Sequence, residues 1–225
     1  LQLVMKKQLS IKSKIHNYRV FFNDDIKKTI NSYSNDTVFI IDKFVYSKFL
    51  KKIICNKKFL CIKSEEKNKD FTNLHKVINF FIKNVSRDTL VVSIGGGVIQ
   101  DISSFLASIF KRGIEWNFIP TTIISQGDSC IGGKTSINFN KIKNQLGNFY
   151  PPKKIIINSN FVKNLPEKEF FSGLGEMGHY FLLSNLRDYK YYKNFLNSCS
   201  KKNNLNLNQM ICRSLSIKKR YIENG

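Results

Sequence analysis

The sequence predicts an α/β fold in which a parallel-sheet domain, residues 1–158, is followed by the beginning of an all-helical domain, residues 159–225. Three observations carry this. Continuous apolar runs at 37–42, 89–94 and 114–119 alternate with segments of helical spacing, the pattern of strands joined by crossover helices. Those runs are uniformly apolar, as strands covered on both faces require. From Glu167 onward no strand signal recurs, and only helical periodicity remains.

The elements follow in order. Residues 1–36 are polar and mixed, with a strand expected at 18–22 and a helix near 25–32. Thr37-Val38-Phe39-Ile40-Ile41-Asp42 is a buried strand that ends in an acid. Residues 57–70 read as a charged connection containing Ser64, Glu65, Glu66, Lys67, Asn68 and Lys69. Leu74, Val77, Ile78, Phe81 and Ile82 recur at helical spacing within 71–84. Arg87-Asp88 punctuates before the second strand, Gly95-Gly96-Gly97 follows it, and a small, apolar helix is expected at 98–110. The third strand is stopped by Pro120. Pro151-Pro152 marks an expected joint before a short strand at 155–157, and helices are expected at 170–183, 189–198 and 205–222.

Composition narrows the class. With 42% hydrophobic and 24% charged residues among 225, the chain is neither disordered nor collagen-like. No stretch reaches 18 continuous apolar residues, which argues against a membrane-spanning helix, and no membrane partner is expected. No basic-then-apolar leader opens the sequence. It starts at Leu1 and stops in mid-pattern at Gly225, so both ends are expected to be truncated. Cys55, Cys61, Cys130, Cys199 and Cys212 form no CxxC pair, which excludes a zinc knuckle and points to a reducing, cytoplasmic setting. The net charge of +21 permits nucleic-acid binding or steering of anionic substrates. The lysines, however, are scattered singly and in pairs, without the arginine and aromatic clustering of RNA-binding modules. Specific nucleic-acid binding is therefore not expected.

Two glycine segments point to chemistry. In Ile94-Gly95-Gly96-Gly97-Val98-Ile99-Gln100-Asp101 the glycines lie between a strand and a helix, where backbone approaches a ligand and free helix N–H groups suit a pyrophosphate. Gln100 breaks the strict GxGxxG pattern. The other reading is a tight turn with a dipole-stabilising acid. Gly127-Asp128-Ser129-Cys130-Ile131-Gly132-Gly133-Lys134-Thr135 resembles a phosphate loop, but Asp128 stands where the Walker pattern needs glycine. What remains is a glycine-rich loop whose Lys134 suits a phosphate or carboxylate, or a plain surface turn. Lys141, Lys143 and Asn144 in 138–150 either hold an anion or form a solvated loop. Thr121 and Thr122 lie at the carboxyl edge of the sheet, where ligands of open α/β folds bind, or cap the next helix. Glu176 and His179, three apart, share a helix face, either as part of a metal site or as a polar surface.

Taken together, GGGVIQD, KRG, PTT, GDSCIGGKT, KNQLGNFYPP, LPEKEFFSGLGE and SLSIKKRYIE occur in the order found in the 3-dehydroquinate synthase, or sugar-phosphate cyclase, family. The chain resembles that family most closely from about Asp88 to Leu183. The resemblance implies a Rossmann-like N-terminal domain, a helical C-terminal domain and an active site between them. It implies tightly held NAD and a divalent metal, zinc or cobalt. It also implies conversion of 3-deoxy-arabino-heptulosonate 7-phosphate to 3-dehydroquinate and phosphate, through transient oxidation, phosphate elimination, re-reduction and aldol closure. By the same resemblance, cofactor contacts fall on Ser64, Glu65, Glu66, Lys67, Asn68 and Lys69, and on Gly97, Val98, Ile99, Gln100 and Asp101. Thr121, Thr122, Lys134, Lys143, Phe161, Val162, Lys163 and Asn164 complete them. Asp128, Lys134, Asn144, Lys218 and His179 fall to substrate and catalysis, Glu176 to the metal, and Arg112 to a contact across a homodimer.

The sequence departs from the family pattern in places. Ser64 and Glu65 replace an Asp-Gly pair, and Gln100 replaces a glycine. His179 replaces a lysine, exchanging a permanent cation for a group largely neutral at pH 7. That exchange favours a cyclase acting on another seven-carbon sugar phosphate as the alternative. With Glu176 the one clear metal ligand, the chain by itself is expected to bind zinc poorly and to be inactive. A related metal-dependent polyol dehydrogenase shares the GGGxxxD turn, but Lys134 and Lys143 argue for an anionic ligand. A non-catalytic NAD-binding remnant is the remaining alternative.

Overall fold

The computed structural model describes residues 8–199 and 206–224. A seven-stranded sheet forms its centre, in the order β1-β2-β9-β6-β5-β3-β4. The strands are β1 (Gln8–Ile11), β2 (Tyr18–Phe22), β3 (Val38–Asp42), β4 (Lys58–Ile62), β5 (Val91–Gly95), β6 (Trp116–Pro120) and β9 (Lys154–Ile157). β1 pairs antiparallel with β2, and every other pairing is parallel. A separate antiparallel hairpin is formed by β7 (Ile137–Phe139) and β8 (Ile142–Leu146).

The expected parallel core is present, with three corrections at its margins. Residues 57–70 are not only a charged connection, because β4 lies within them. Its edge position leaves Lys58 exposed and Phe59, Leu60 and Cys61 half-buried, which hid the strand behind a mixed pattern. The polar N-terminal stretch supplies β1, whose alternation buries only Leu9 and Ile11. Residues 138–150, expected as an anion-holding or solvated loop, contain most of the β7–β8 hairpin. Asn140 and Lys141 turn it with positive φ angles of 50° and 64°, the geometry that matches hairpin twist.

Period-two alternation divides the strand side chains between two cores. Val38, Ile40 and Val91 join the larger cluster, while Phe39, Ile41, Val92 and Ile94 join the smaller one on the opposite face. The helices are α1 (Ile26–Asn31), α2 (Lys43–Val45), α3 (His75–Asn84), α4 (Gly97–Ile109), α5 (Glu167–Ser184), α6 (Leu186–Cys199) and α7 (Leu207–Asn224). The last three match the expected helical region, although Leu205, the expected start of the third, lies outside the described residues. Leu174, Met177, Phe181, Met210 and Leu215 belong to the same buried cluster as Val91, Trp116 and Ile155. Burying them against the sheet core fixes the helical region to it by the hydrophobic effect.

On α6 and α7 the packing is reinforced by charge. Asp188 accepts from Arg213 Nε at 2.6 Å, Ser184 Oγ at 2.6 Å and Asn185 Nδ2 at 2.7 Å. Burial pushes its carboxyl pKa up, but these donors and the Arg213 charge outweigh burial and hold it below its ordinary value.

Candidate functional site: two cavities meeting at Gly97

The strand order reverses at β3. The chain passes from β3 to β4 on one side, then returns to β5 on the other. The carboxyl ends of β3 and β5 therefore flank a switch point, the place where open α/β sheets bind ligands. A crevice of about 440 Å³ lies there. Asp42, Ser64, Gly96, Gly97, Thr121 and Thr122 line its polar side, and Phe161 and Leu165 contribute apolar walls.

Local sequence explains this crevice. A Cβ on Gly95 would lie 2.5 Å from Ile99 Cγ1, so glycine lets α4 pack directly on the strand end. Gly97 has open space where a side chain would be. No side chain caps α4, so its first-turn N–H groups remain available to an anion. Asp42 caps α2 through Phe44 N at 2.7 Å and Val45 N at 3.0 Å, and accepts a short bond from Ser64 Oγ. The acid ending the first apolar strand was noted in the sequence, but only the fold places it beside the glycine turn.

A second cavity, of about 540 Å³, adjoins the first and shares Gly97. Asp101, Asp128, Lys134 and Lys218 give it charge, and Gln100 and Tyr180 also line it. Asp128 and Ser129 lie in a π-helical turn, Ser125–Ser129, to which α4, α5 and α7 all attach. From α4, Gln100 Nε2 donates to Ser129 O at 2.7 Å, and Ser129 Oγ returns a bond to Gln100 Oε1 at 2.6 Å. From α7, Lys218 Nζ donates to Asp128 Oδ1 and Asp128 O, each at 2.7 Å. Ser214 Oγ donates to Gly127 O at 2.8 Å. From α5, Tyr180 Oη donates to Asp128 Oδ1 at 2.6 Å. Gly127 has no room for a side chain, because Met177 Sδ would lie 2.3 Å from its Cβ.

A buried ion pair connects the cavities to the β7–β8 hairpin. Lys69 is 7% exposed, and its Nζ lies 2.7 Å from Asp101 Oδ2 and donates to Asn144 Oδ1 at 2.8 Å. Asn144, with φ of 59°, also accepts from Ser136 Oγ at 2.6 Å. Burial pushes the Asp101 carboxyl pKa up, against the pull of Lys69. Glu66 accepts from Asn138 Nδ2 at 2.8 Å, tying the 64–69 segment to the same hairpin.

The other candidates lie as follows. Glu65 pairs with Lys67 at the surface, and Asn68 Nδ2 donates to Lys63 O. Ile99 and Val162 are buried in core packing. Val98 lines the crevice. Lys163 is exposed in the 3₁₀ segment Ser159–Asn164. Lys143 is exposed on β8 and lines neither cavity. Arg112 is exposed in the turn before Gly113, with φ of 70°. Glu176 and His179 are exposed on α5. The His179 ring stacks near Tyr180, and its Nδ1 makes a short bond with Glu176 O. Among the described residues no three His, Cys, Asp or Glu side chains form a metal-binding group. The same residues contain no helix long and apolar enough to cross a membrane.

The fold and its cavities define an open α/β protein with a ligand crevice at the sheet switch point and a charged cavity beneath attached helices. The chain belongs to the 3-dehydroquinate synthase family: residues 59–172 match the family described as 3-dehydroquinate synthase N-terminal. It is 32% identical over 233 residues to a 3-dehydroquinate synthase of Streptococcus equi subsp. equi, covering 97% of this chain and 63% of that protein. It is 36% identical over 179 residues to one of Clostridium tetani, covering 74% and 48% respectively. The chain thus spans less than two thirds of the length of these curated relatives. Its fold is similar to that of 2-deoxy-scyllo-inosose synthase complexed with carbaglucose-6-phosphate, NAD+ and Co2+. The TM-score is 0.78 at 19% identity, covering 96% of this chain and 62% of that one.

Proposed function

We propose that this chain supplies the dinucleotide crevice and much of the sugar-phosphate cavity of an NAD-dependent cyclase. The reaction is conversion of 3-deoxy-arabino-heptulosonate 7-phosphate to 3-dehydroquinate and phosphate. The observation that carries the reading is the meeting of the two cavities at Gly97, which puts a cofactor crevice next to lysine-bearing walls. Membership of the family and the named ligands of the 2-deoxy-scyllo-inosose synthase structure support it.

The residues fit NAD. The uncapped start of α4 offers N–H groups to a pyrophosphate, and Gly97 leaves the approach open. Asp42 accepts ribose hydroxyls at the end of β3. Bound there, NAD supplies a hydride acceptor for transient oxidation. Lys134 attracts the substrate phosphate, while Asp128 and Lys218 address the hydroxyl and anionic groups of the sugar. Lys69, itself anchored on Asn144, holds Asp101 at the wall of the charged cavity. The metal is a different case. Glu176 and His179 do not make a sufficient donor set among the described residues. The division at 158/159 is, on this reading, one between cofactor-binding and substrate-binding parts, and Arg112 is positioned on the surface for a homodimer contact.

A second reading, a cyclase for another seven-carbon sugar phosphate, is favoured by His179, whose Nδ1 bonds back to its own helix. Both readings share one test. Calorimetric titration with NAD is expected to give one-to-one binding that Asp101→Ala weakens at least tenfold. Absence of binding by the native chain would overturn the cofactor reading.

A further inference from the structure

We infer that Tyr180 is a positioning residue of the charged cavity: it holds Asp128 so that one carboxylate oxygen stays free to accept a hydroxyl of the sugar phosphate. The inference rests on the sugar-phosphate reading above and names a residue which that reading did not use.

Each oxygen of a carboxylate offers two lone-pair sites. On Asp128, Oδ1 has both filled, by Tyr180 Oη at 2.6 Å and Lys218 Nζ at 2.7 Å. Oδ2 has no protein partner among the described residues, and Asp128 lines the 540 Å³ cavity. Lys218 alone would not fix this division, because one ammonium can bridge both oxygens of a carboxylate. Tyr180 anchors Oδ1 from the α5 side and so fixes the turn of the carboxylate, while Asp128 O draws Lys218 Nζ toward the backbone. The phenol is itself fixed. His179 packs on its ring with centroids 3.8 Å apart, and Lys218 Nζ lies 5.9 Å from its centroid. An unfilled carboxylate oxygen repels phosphate and attracts hydroxyl donors, so Asp128 reads the polyol part of the ligand. The phosphate is left to Lys134, whose charge no acid neutralises among the described residues.

The test compares two ligands on the NAD-loaded chain by calorimetry: 3-deoxy-arabino-heptulosonate 7-phosphate, and inorganic phosphate as a probe without hydroxyl groups on a carbon frame. Tyr180→Phe is expected to weaken the sugar phosphate at least tenfold, the scale of a hydrogen bond to a charged group. Binding of inorganic phosphate is expected to stay within twofold. Tyr180→Leu, which also removes the ring, is expected to be no more than slightly worse. If Tyr180→Phe binds like the native chain while Tyr180→Leu does not, the role is packing and the inference is overturned. An equal loss for both ligands also overturns it. A crystal structure of the native chain with the sugar phosphate gives an answer that does not depend on variants folding: a hydroxyl at Asp128 Oδ2 supports the inference, and one displacing Tyr180 from Oδ1 overturns it. If the native chain binds NAD but not the sugar phosphate, the substrate reading fails and this inference with it. That result is distinct from native binding left unchanged by Tyr180→Phe.

Discussion

The two cavities that meet at Gly97 are built in opposite ways. The switch-point crevice is built on the glycine turn and the strand ends, with Asp42, Gly96, Gly97, Thr121 and Thr122, and is walled by Phe44, Phe49 and Phe161. The charged cavity is made by long side chains from α4, the 125–129 turn, α5 and α7, which are far apart in the sequence. A crevice built on a turn tolerates changes in side chains that leave the turn intact. A cavity of mutually bonded side chains transmits the loss of any one member to the others, because each buried polar group left unpaired carries its own desolvation cost.

The largest expected effect breaks this contrast at the ion pair between the two. Lys69→Met leaves Asp101 without its cation and Asn144 Oδ1 with Ser136 Oγ as its remaining donor. The expected loss is about 3 kcal/mol, the scale of a buried pair broken on one side, measured by urea unfolding. Replacing both partners, Lys69→Met with Asp101→Leu, should recover part of that loss. A double variant no better than the single would show that the charges themselves do not set the cost.

A smaller effect sharpens the contrast by separating binding from stability. Gly97→Ala meets no atom within 4 Å and sits at the start of a helix, so unfolding should be unchanged or up to about 1 kcal/mol more favourable to the folded state. NAD affinity should nevertheless fall about tenfold, because the new methyl projects into the shared boundary of both cavities. Unchanged affinity would place the pyrophosphate elsewhere.

The smallest effect concerns the helical region alone. Because the folded-state pKa of Asp188 is depressed, its contribution is present above the ordinary value of 3.8 and is lost as pH falls through the lower folded value. Asp188→Asn should therefore flatten the acid limb of the stability curve below about pH 4, relative to the native chain. An acid limb identical in both would remove Asp188 from that role.

How legible all this was follows the same division. β3, β5 and β6 were readable because every one of their positions is buried, which gives continuous apolar runs. β1 and β4 were not, because edge strands carry exposed and half-buried positions and short alternation looks like loop. The glycine turn at 95–97 announced itself through the need for close approach between strand and helix. Tyr180 gave no such signal. It looked like one aromatic among others on an amphipathic helix, and only the docking of α5 against the 125–129 turn brings its hydroxyl to Asp128. Lys143 is the reverse case: it is one of two lysines read as an anion pair from the sequence, and the fold sets it on the exposed strand β8, outside both cavities. The family motifs located both residues in order, and the folded geometry then distinguished their surroundings.

The sheet order also sets a schedule. β2 finds its parallel partner only in β9, with Val20 opposite Ile155, and β1 joins the sheet only through β2. As the chain leaves the ribosome, the first hairpin must wait while β3, β4, β5 and β6 can already assemble beside one another. Closing so long a loop is slow, and a waiting strand edge is open to wrong partners. The alternation in β1, with Gln8 and Ser10 exposed, makes that edge less adhesive than the strands that pair early. Synthesis of this protein is thus expected to pass through a stage at which the central sheet is formed and its N-terminal border is still unpaired.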